Sequence, residues 1–435
     1  MNNNVSMNQK QIYKNASRLF FLCFLAYTCS YIGRKNFSAC LPEMINHGFL
    51  DKTQGGTITT AYMLVYGLGQ MLSGIIGTKV KPRFMIGIGL CGAGICNLSM
   101  GFLPSAALMP FVWACNGLFH SMLWAPIIRI FTDLLPVDRR SAAGTNIAVS
   151  CSVGAILAFL IPGIVLRFAE WQVVFYVSGG ALLLCFFIWV IGNRFLSTYI
   201  RMMEAACLAE RQAIQEQRQN TSMTPPKHSP RLFVIMITSG LWVVLLGLIC
   251  NGALRDAVET WAPTFLSEQF KLDGSLAALI SVIIPIISIS GTYIANLLHE
   301  KLIKNEFLTS AIMFAIATLC VGGLCLCHQF SATLCTVFMA ISVSAMWGAN
   351  HMFLTVVPYH FASLGLSAAI TGTLNSIIYF SSAICSGLYG FLAETLGWTL
   401  LIILWLGVGV VGTTVCLAGT HFWAKKRAEL DQGSL

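Results

Sequence analysis

Apolar residues in this chain come in long unbroken runs, not in the strict alternation of a half-buried strand. Twelve runs of about 20 residues can be marked. Their centres lie near residues 30, 67, 94, 122, 153, 181, 252, 286, 316, 345, 379 and 410. Each is long enough, as a helix, to cross a hydrocarbon layer about 30 Å thick. The longest break runs from Asn193 to Arg231, opening on an amphipathic stretch, "RMMEAACLAERQAIQEQRQ", and closing on a turn-rich one, "NTSMTPPKHSP". The pattern predicts an all-α membrane protein of twelve transmembrane helices. The halves are 19–192 and 232–424, the linker 193–231, and the short ends 1–18 and 425–435.

Composition agrees with the pattern. Hydrophobic residues make up 56% of the 435 and charged residues only 10%, against roughly 25% charged in a soluble domain. The formal net charge of +9 raises the question of a nucleic-acid partner, and its distribution answers it. With the N-terminus inside, the inner segments hold 19 Lys and Arg and the outer loops only Lys52, Arg167 and Lys271. This bias places both termini and the linker in the cytoplasm and makes the lipid bilayer, not nucleic acid, the expected partner. No small-x-small cleavage site follows the first run, so it reads as a span and not a signal peptide. Four basic residues remain inside spans: Arg34, Lys35, Arg129 and Arg255.

Other motifs carry little. "GIGLCG", Gly87 to Gly92, fits a dinucleotide fingerprint, but it lies in a membrane span with no strand before it. Close packing of helices through small residues explains its glycines better. The 16 cysteines scatter through the spans without metal-ligand spacing and read as small apolar packing residues, not a disulfide framework. No Ser/His/Asp or paired-carboxylate arrangement stands out, which argues against an enzyme. Nothing calls for a metal or cofactor.

Charges at bilayer depth are costly and mostly mark function. The first span carries "RKNFSACLP", Arg34 to Pro42, and the seventh "RDAVETWAP", Arg255 to Pro263. In both, arginine precedes proline by eight residues. Each arginine falls about 21–22 Å along its apolar run at 1.5 Å per residue, past the midplane toward the outside. Trp171 and Trp398 recur before the last span of each half, and His120 in the fourth span is echoed by His351 in the tenth. Two duplicated six-helix halves are a transporter plan with the substrate site between them. The two arginines are therefore expected to face one central cavity, where guanidinium forks suit a bidentate oxyanion such as phosphate or carboxylate. Tyr27, Tyr31 and Arg34 stand at i, i+4 and i+7 and share one helix face. Glu259 lies four residues after Arg255, in reach of it. Lys35 sits about 100° around the helix from Arg34 and reads either as a second cavity cation or, the favoured reading, as a residue extended toward helix packing. Arg129, a turn before Asp133, reads as a gate or a structural ion pair. His120 and His351 read either as buried, hydrogen-bonded histidines or as proton carriers.

At these residues the chain resembles a known family. "YIGRKNFSACLP", "YGLGQMLSG…KPR", "GLFHSMLWAPIIR" and "LRDAVETWAPTFL" together are similar to the organophosphate:phosphate antiporters of the major facilitator superfamily, the glycerol-3-phosphate and hexose-phosphate transporters. The resemblance covers most of the chain and is strongest over 27–83, 117–140 and 252–266. It implies that Arg34 and Arg255 hold a phosphoryl group and that Tyr27, Tyr31, Tyr66, Trp124 and Tyr379 line the site. It also implies that the basic loop after the second span, with Lys79 and Arg83, takes part in gating. Departures from the family pattern are Gln70 where lysine is frequent, Cys151 where glycerol-3-phosphate transporters have histidine, and Thr78 where the loop usually has aspartate. Asp256 and Glu259 are extra acids in the seventh span. The changes at 70, 151, 256 and 259 make the cavity less positive, which bears against a doubly charged phosphate ester.

The function implied is secondary transport of a small organic anion, a phosphorylated metabolite exchanged for inorganic phosphate by alternating access. The expected setting is a monomer in a bacterial cytoplasmic (inner) membrane. The runner-up is a proton-coupled symporter of a carboxylate or neutral metabolite, with Asp256, Glu259, His120 and His351 as coupling groups. A third reading is a transporter-like sugar-phosphate sensor, which the same family includes.

Overall fold

A computed structural model describes residues 8–76, 80–220, 241–361 and 367–431, and the described residues form helices and turns without a strand. The first half contains α1 (Gln9–Asn46), α2 (Lys52–Ile76), α3 (Pro82–Phe102), α4 (Met109–Ser121), α5 (Trp124–Leu134), α6 (Val137–Val165) and α7 (Trp171–Phe195). The amphipathic stretch after it is helical, α8 (Ser197–Asn220). The second half contains α9 (Leu241–Phe270), α10 (Gly274–Ser281), α11 (Ile283–Leu298), α12 (Glu306–Cys327), α13 (Ala332–His351), α14 (Ser367–Thr395) and α15 (Gly397–Asp431). The turn-rich segment "NTSMTPPKHSP" lies outside the described residues after Asn220. Among the described residues, eleven helices are long and apolar enough to cross a membrane. With α2, whose 25 residues reach about 37 Å at 1.5 Å each, they make the twelve spans.

Three spans are less regular than the apolar runs suggest. The fourth breaks into α4 and α5 at Met122–Leu123, and the eighth into α10 and α11 at Val282. The tenth passes from α13 into a π-helical turn, Met352–Val356, and a last turn, Val357–Tyr359. A proline follows each irregularity: Pro126, Pro285 and Pro358. Proline has no N–H for the carbonyl four residues back and clashes with it, here at Met122, Ser281 and Leu354. α1 also begins well before Leu19, extending its helix toward the termini.

Within the first half, α1 packs on α6 and α7, and α3 on α7 and α4; within the second, α11 packs on α13 and α12 on α15. The glycines of "GIGLCG" serve close packing: a Cβ on Gly89 would stand 2.7 Å from the Phe119 carbonyl oxygen. Between the halves, α2 lies along α14, α1 crosses α9, and α6 meets α10. The α2–α14 seam is glycine-lined. A Cβ on Gly56 would meet the Ser386 and Gly387 carbonyl oxygens at 3.0 and 3.1 Å, and one on Gly390 would collide with the Lys52 carbonyl. Thr60 Oγ1 donates across this seam to the Ala383 carbonyl at 2.7 Å.

The end of the bundle opposite the termini is tied shut. Lys52 Nζ reaches Glu268 at 3.0 Å and Glu394 at 3.5 Å. Trp398 Nε1 donates to the same Glu268 at 2.8 Å. The Gly274 amide donates to Glu43 at 3.2 Å, and Ser275 Oγ to the Gly163 carbonyl at 2.6 Å. Every one of these bonds except the tryptophan's joins one half to the other.

Candidate functional site

Midway along the bundle, aromatic rings from both halves close on Arg34. Its guanidinium lies 4.7 Å from the Tyr31 ring centre and 4.8 Å from that of Tyr66, and Nη1 donates to the Tyr66 hydroxyl at 3.4 Å. Gln70 Nε2 donates to the same hydroxyl at 2.7 Å. Tyr27 packs edge-on to Tyr31 at 5.5 Å and against Trp124 at 5.0 Å, so the shared face read from i, i+4, i+7 spacing is present. Trp124 is the first residue after the break in the fourth span, and the break sets its position. Cys151 lies beside Tyr31 and Arg34. Among the described residues Arg34 has no carboxylate partner.

The backbone at Arg34 is fixed from behind. Asn97 Nδ2 and Asn116 Nδ2 donate to the Gly33 carbonyl at 2.9 and 3.0 Å, and Asn36 Nδ2 donates to Asn97 Oδ1 at 2.9 Å. All three asparagines are fully buried, where a hydrogen-bonded amide is stable and an unpaired one is not. The sequence reading passed over this network because an asparagine in an apolar run has no distinctive spacing.

Arg255, 4% exposed, answers from the second half. Asp256 takes Nε at 3.1 Å and Nη2 at 2.8 Å, and Asn350 Oδ1 takes Nη1 at 2.8 Å. The guanidinium lies 4.5 Å from the Trp347 ring centre. Ser382 Oγ donates to Asp256 Oδ2 at 2.6 Å. Trp347, Asn350 and Ser382 were not anticipated; Trp347 and Asn350 one turn apart in "MWGANH" are the only trace of this in the sequence. Tyr379 bridges the two arginines. Its ring meets that of Tyr66 edge-on at 4.7 Å, and it is close enough to interact electrostatically with both guanidinium groups.

Two expectations need correction. Glu259 does not take Arg255; its carboxylate meets Lys35 Nζ at 3.0 Å, with both side chains buried. Lys35 is therefore not a packing residue but one end of an ion pair between α1 and α9. The reason is electrostatic: a buried cation without a counter-charge is very costly, and Asp256 already serves Arg255. Second, the charged neighbours of His351 are His299 and Glu300 rather than the arginines, so it is not grouped with the site. His120 fits the reading of a buried, hydrogen-bonded histidine. It is 3% exposed, its Nδ1 donates to the Asn116 carbonyl at 2.9 Å, and it lies near Arg34.

The gating candidates lie toward the termini. Arg129 Nε pairs with Asp133 at 3.2 Å while Nη1 donates to the Val80 carbonyl at 3.2 Å, so it holds the loop after the second span. Arg83 Nη2 stands 3.9 Å from Glu204 of α8, which Lys81 also reaches at 3.4 Å. Lys79 and Thr78 lie outside the described residues.

A family model described as Major Facilitator Superfamily matches residues 23–384. The chain belongs to the major facilitator superfamily. Among curated relatives, this superfamily member is 22% identical over 404 residues to a "Probable hexose phosphate transport protein" of Chlamydia muridarum, covering 88% of this chain and 86% of that one. It is 23% identical over 314 residues to the "Glycerol-3-phosphate transporter" of Bacillus subtilis, 68% of each chain. It is 20% identical over 298 residues to the "Membrane sensor protein UhpC" of Escherichia coli, 68% of this chain and 67% of that one. Among solved structures, the xylose transporter XylE from E. coli in a partially occluded inward-open conformation superposes with a TM-score of 0.70. That match is 12% identical and covers 94% of this chain and 99% of that one. The first two relatives carry the hexose-phosphate and glycerol-3-phosphate transporter names of the family that the motifs resemble. The fold is that of the major facilitator transporters, and the chain is not an enzyme.

Proposed function

We propose that the protein moves a small organic anion, a phosphorylated metabolite exchanged for inorganic phosphate, by alternating access. The observation that supports this reading is that Arg34 and Arg255, from pseudo-equivalent spans of the two halves, both lie near Tyr379, whose ring packs on that of Tyr66. The anion sits on the open guanidinium edge of Arg34 and draws Arg255 toward it. Tyr27, Tyr31, Tyr66, Gln70, Trp124 and Tyr379 form the walls. Bound anion screens two like charges, which lets the halves rock about the site. Arg129, Lys79 and Arg83 serve the gate near the termini. The charge bias supports a bacterial inner-membrane setting with both termini in the cytoplasm. The bonds from Lys52 and Glu43 then close the periplasmic side.

Proteoliposomes test this reading. Vesicles preloaded with phosphate are expected to take up a hexose phosphate or glycerol phosphate faster than empty ones, without a pH gradient. Uptake that follows an imposed proton gradient and ignores internal phosphate would instead favour symport. The buried carboxylates of Asp256 and Glu259 are the observation on the side of that second reading. Ligand binding without any flux would favour the sensor reading that the UhpC relative suggests.

A further inference from the structure

The ion pairs at the centre go beyond naming a transporter, because they set the charge of what it carries. Three cations stand there: Arg34, Lys35 and Arg255. Two carboxylates stand with them, and each is committed: Asp256 to the Nε–Nη2 edge of the Arg255 guanidinium at 3.1 and 2.8 Å, Glu259 to Lys35 at 3.0 Å. His120 donates through Nδ1 to a backbone carbonyl and its buried Nε2 has no hydrogen-bond partner among the described residues, so it is counted neutral. Among the described residues the centre therefore carries one uncompensated positive charge, on Arg34, whose guanidinium is held by two ring faces and a tyrosine hydroxyl.

We infer that this site selects a singly charged oxyanion, a phosphodiester or a carboxylate, over a doubly charged phosphate monoester; the inference rests on the proposed transport function. A monoanion on Arg34 makes the centre neutral. A dianion leaves one excess negative charge among two buried carboxylates, with no cation free to meet it, and an unpaired buried charge is strongly disfavoured. Arg255 cannot easily supply the deficit. Three of its five N–H groups are already bonded, to Asp256 and Asn350, and the N–H fork is what bidentate phosphate recognition uses. Neutrality also matters for the motion. A loaded, uncharged centre can be sealed from water by both halves, whereas the empty centre with its lone cation resists sealing. An empty carrier is then slow to cross, and exchange is favoured over net flux. Gln70, facing Tyr66 where the resembling family often has lysine, adds no cation.

The test is a binding titration of the purified protein in detergent, followed by intrinsic tryptophan fluorescence, at about pH 8. There a phosphate monoester, with its second pKa near 6, is doubly charged. The probes are a hexose 6-phosphate, its methyl phosphodiester, and the matching hexuronate. At least one singly charged probe is expected to bind about tenfold tighter than the monoester, a difference of about 1.4 kcal/mol. Asp256→Asn, and independently Glu259→Gln, should raise monoester affinity relative to the singly charged probes. A monoester that binds the wild-type protein as tightly as both singly charged probes overturns the inference and leaves the organophosphate reading standing. Binding of the hexuronate alone keeps the inference and removes the organophosphate reading. Failure of both singly charged probes to bind overturns the inference as well.

Discussion

Lys35 and Glu259 form an ion pair 3.0 Å long, buried on both sides, that joins the first span of one half to the first span of the other. Removing either partner strands a charge in the membrane interior. Lys35→Met or Glu259→Leu alone should each cost about 3–5 kcal/mol of stability, while the double substitution should recover most of the loss. Thermal denaturation of the four proteins in one detergent provides the cycle. A double variant destabilised by the sum of the two single losses would show that the pair is not coupled.

Arg34 lies against two tyrosine faces, and the face contact needs a planar cation as much as a positive one. Arg34→Lys should weaken anion binding by about thirtyfold, roughly 2 kcal/mol. Arg34→Ala and Arg255→Ala should each abolish uptake with membrane insertion unchanged. Wild-type uptake in either alanine variant, across phosphate esters and carboxylates alike, would remove these residues from the site.

Lys52 meets two acids of the opposite half, Glu268 and Glu394, at the sealed end. Lys52→Gln should loosen that end without touching the centre. Hydrogen exchange read by mass spectrometry should show faster exchange at the start of α2 and the end of α9, with the asparagine network around Gly33 still protected. Unchanged exchange at both ends would mean that the lysine is not part of the seal.

Pro126 ends the hydrogen-bond ladder that would otherwise carry α4 straight into α5. Pro126→Ala allows one continuous helix and rotates Trp124 away from Tyr27. Uptake should fall severalfold while thermal stability holds or rises slightly. Uptake at the wild-type rate would show that the break is not what positions Trp124.

Much of the architecture was legible in the sequence because lipid imposes it. Runs of about 20 apolar residues place the spans without any tertiary information. The duplication of Arg-x₇-Pro pointed to Arg34 and Arg255 for the same reason: a charge in an apolar run stands out. The pairing of those charges did not follow. Helix geometry brings Glu259 near Arg255, yet it says nothing of a lysine approaching from another half of the molecule. Asp256, adjacent in sequence, takes the arginine because a bent Arg side chain can reach back to the next residue's carboxylate. Trp347, Asn350 and Ser382 are ordinary residues in ordinary spans until folding sets them around one ion pair. The helix breaks were foreshadowed by prolines, but a proline near a helix start and one that splits a span read alike from composition.

The glycines at 56, 387 and 390 leave α2 and α14 touching backbone to backbone. Interlocked side chains act as gear teeth, and turning them demands that every tooth find a new rotamer. A bare seam acts as a plain bearing, two smooth rods that can roll by several degrees with little to disengage. In this protein the swivel lies beside the site, since Tyr379 is on the same rod as Gly387 and Tyr66 on the same rod as Gly56. Friction in the cycle is thereby moved away from the seam and onto the few polar fasteners at its sealed end, which are the parts that a passing anion can influence.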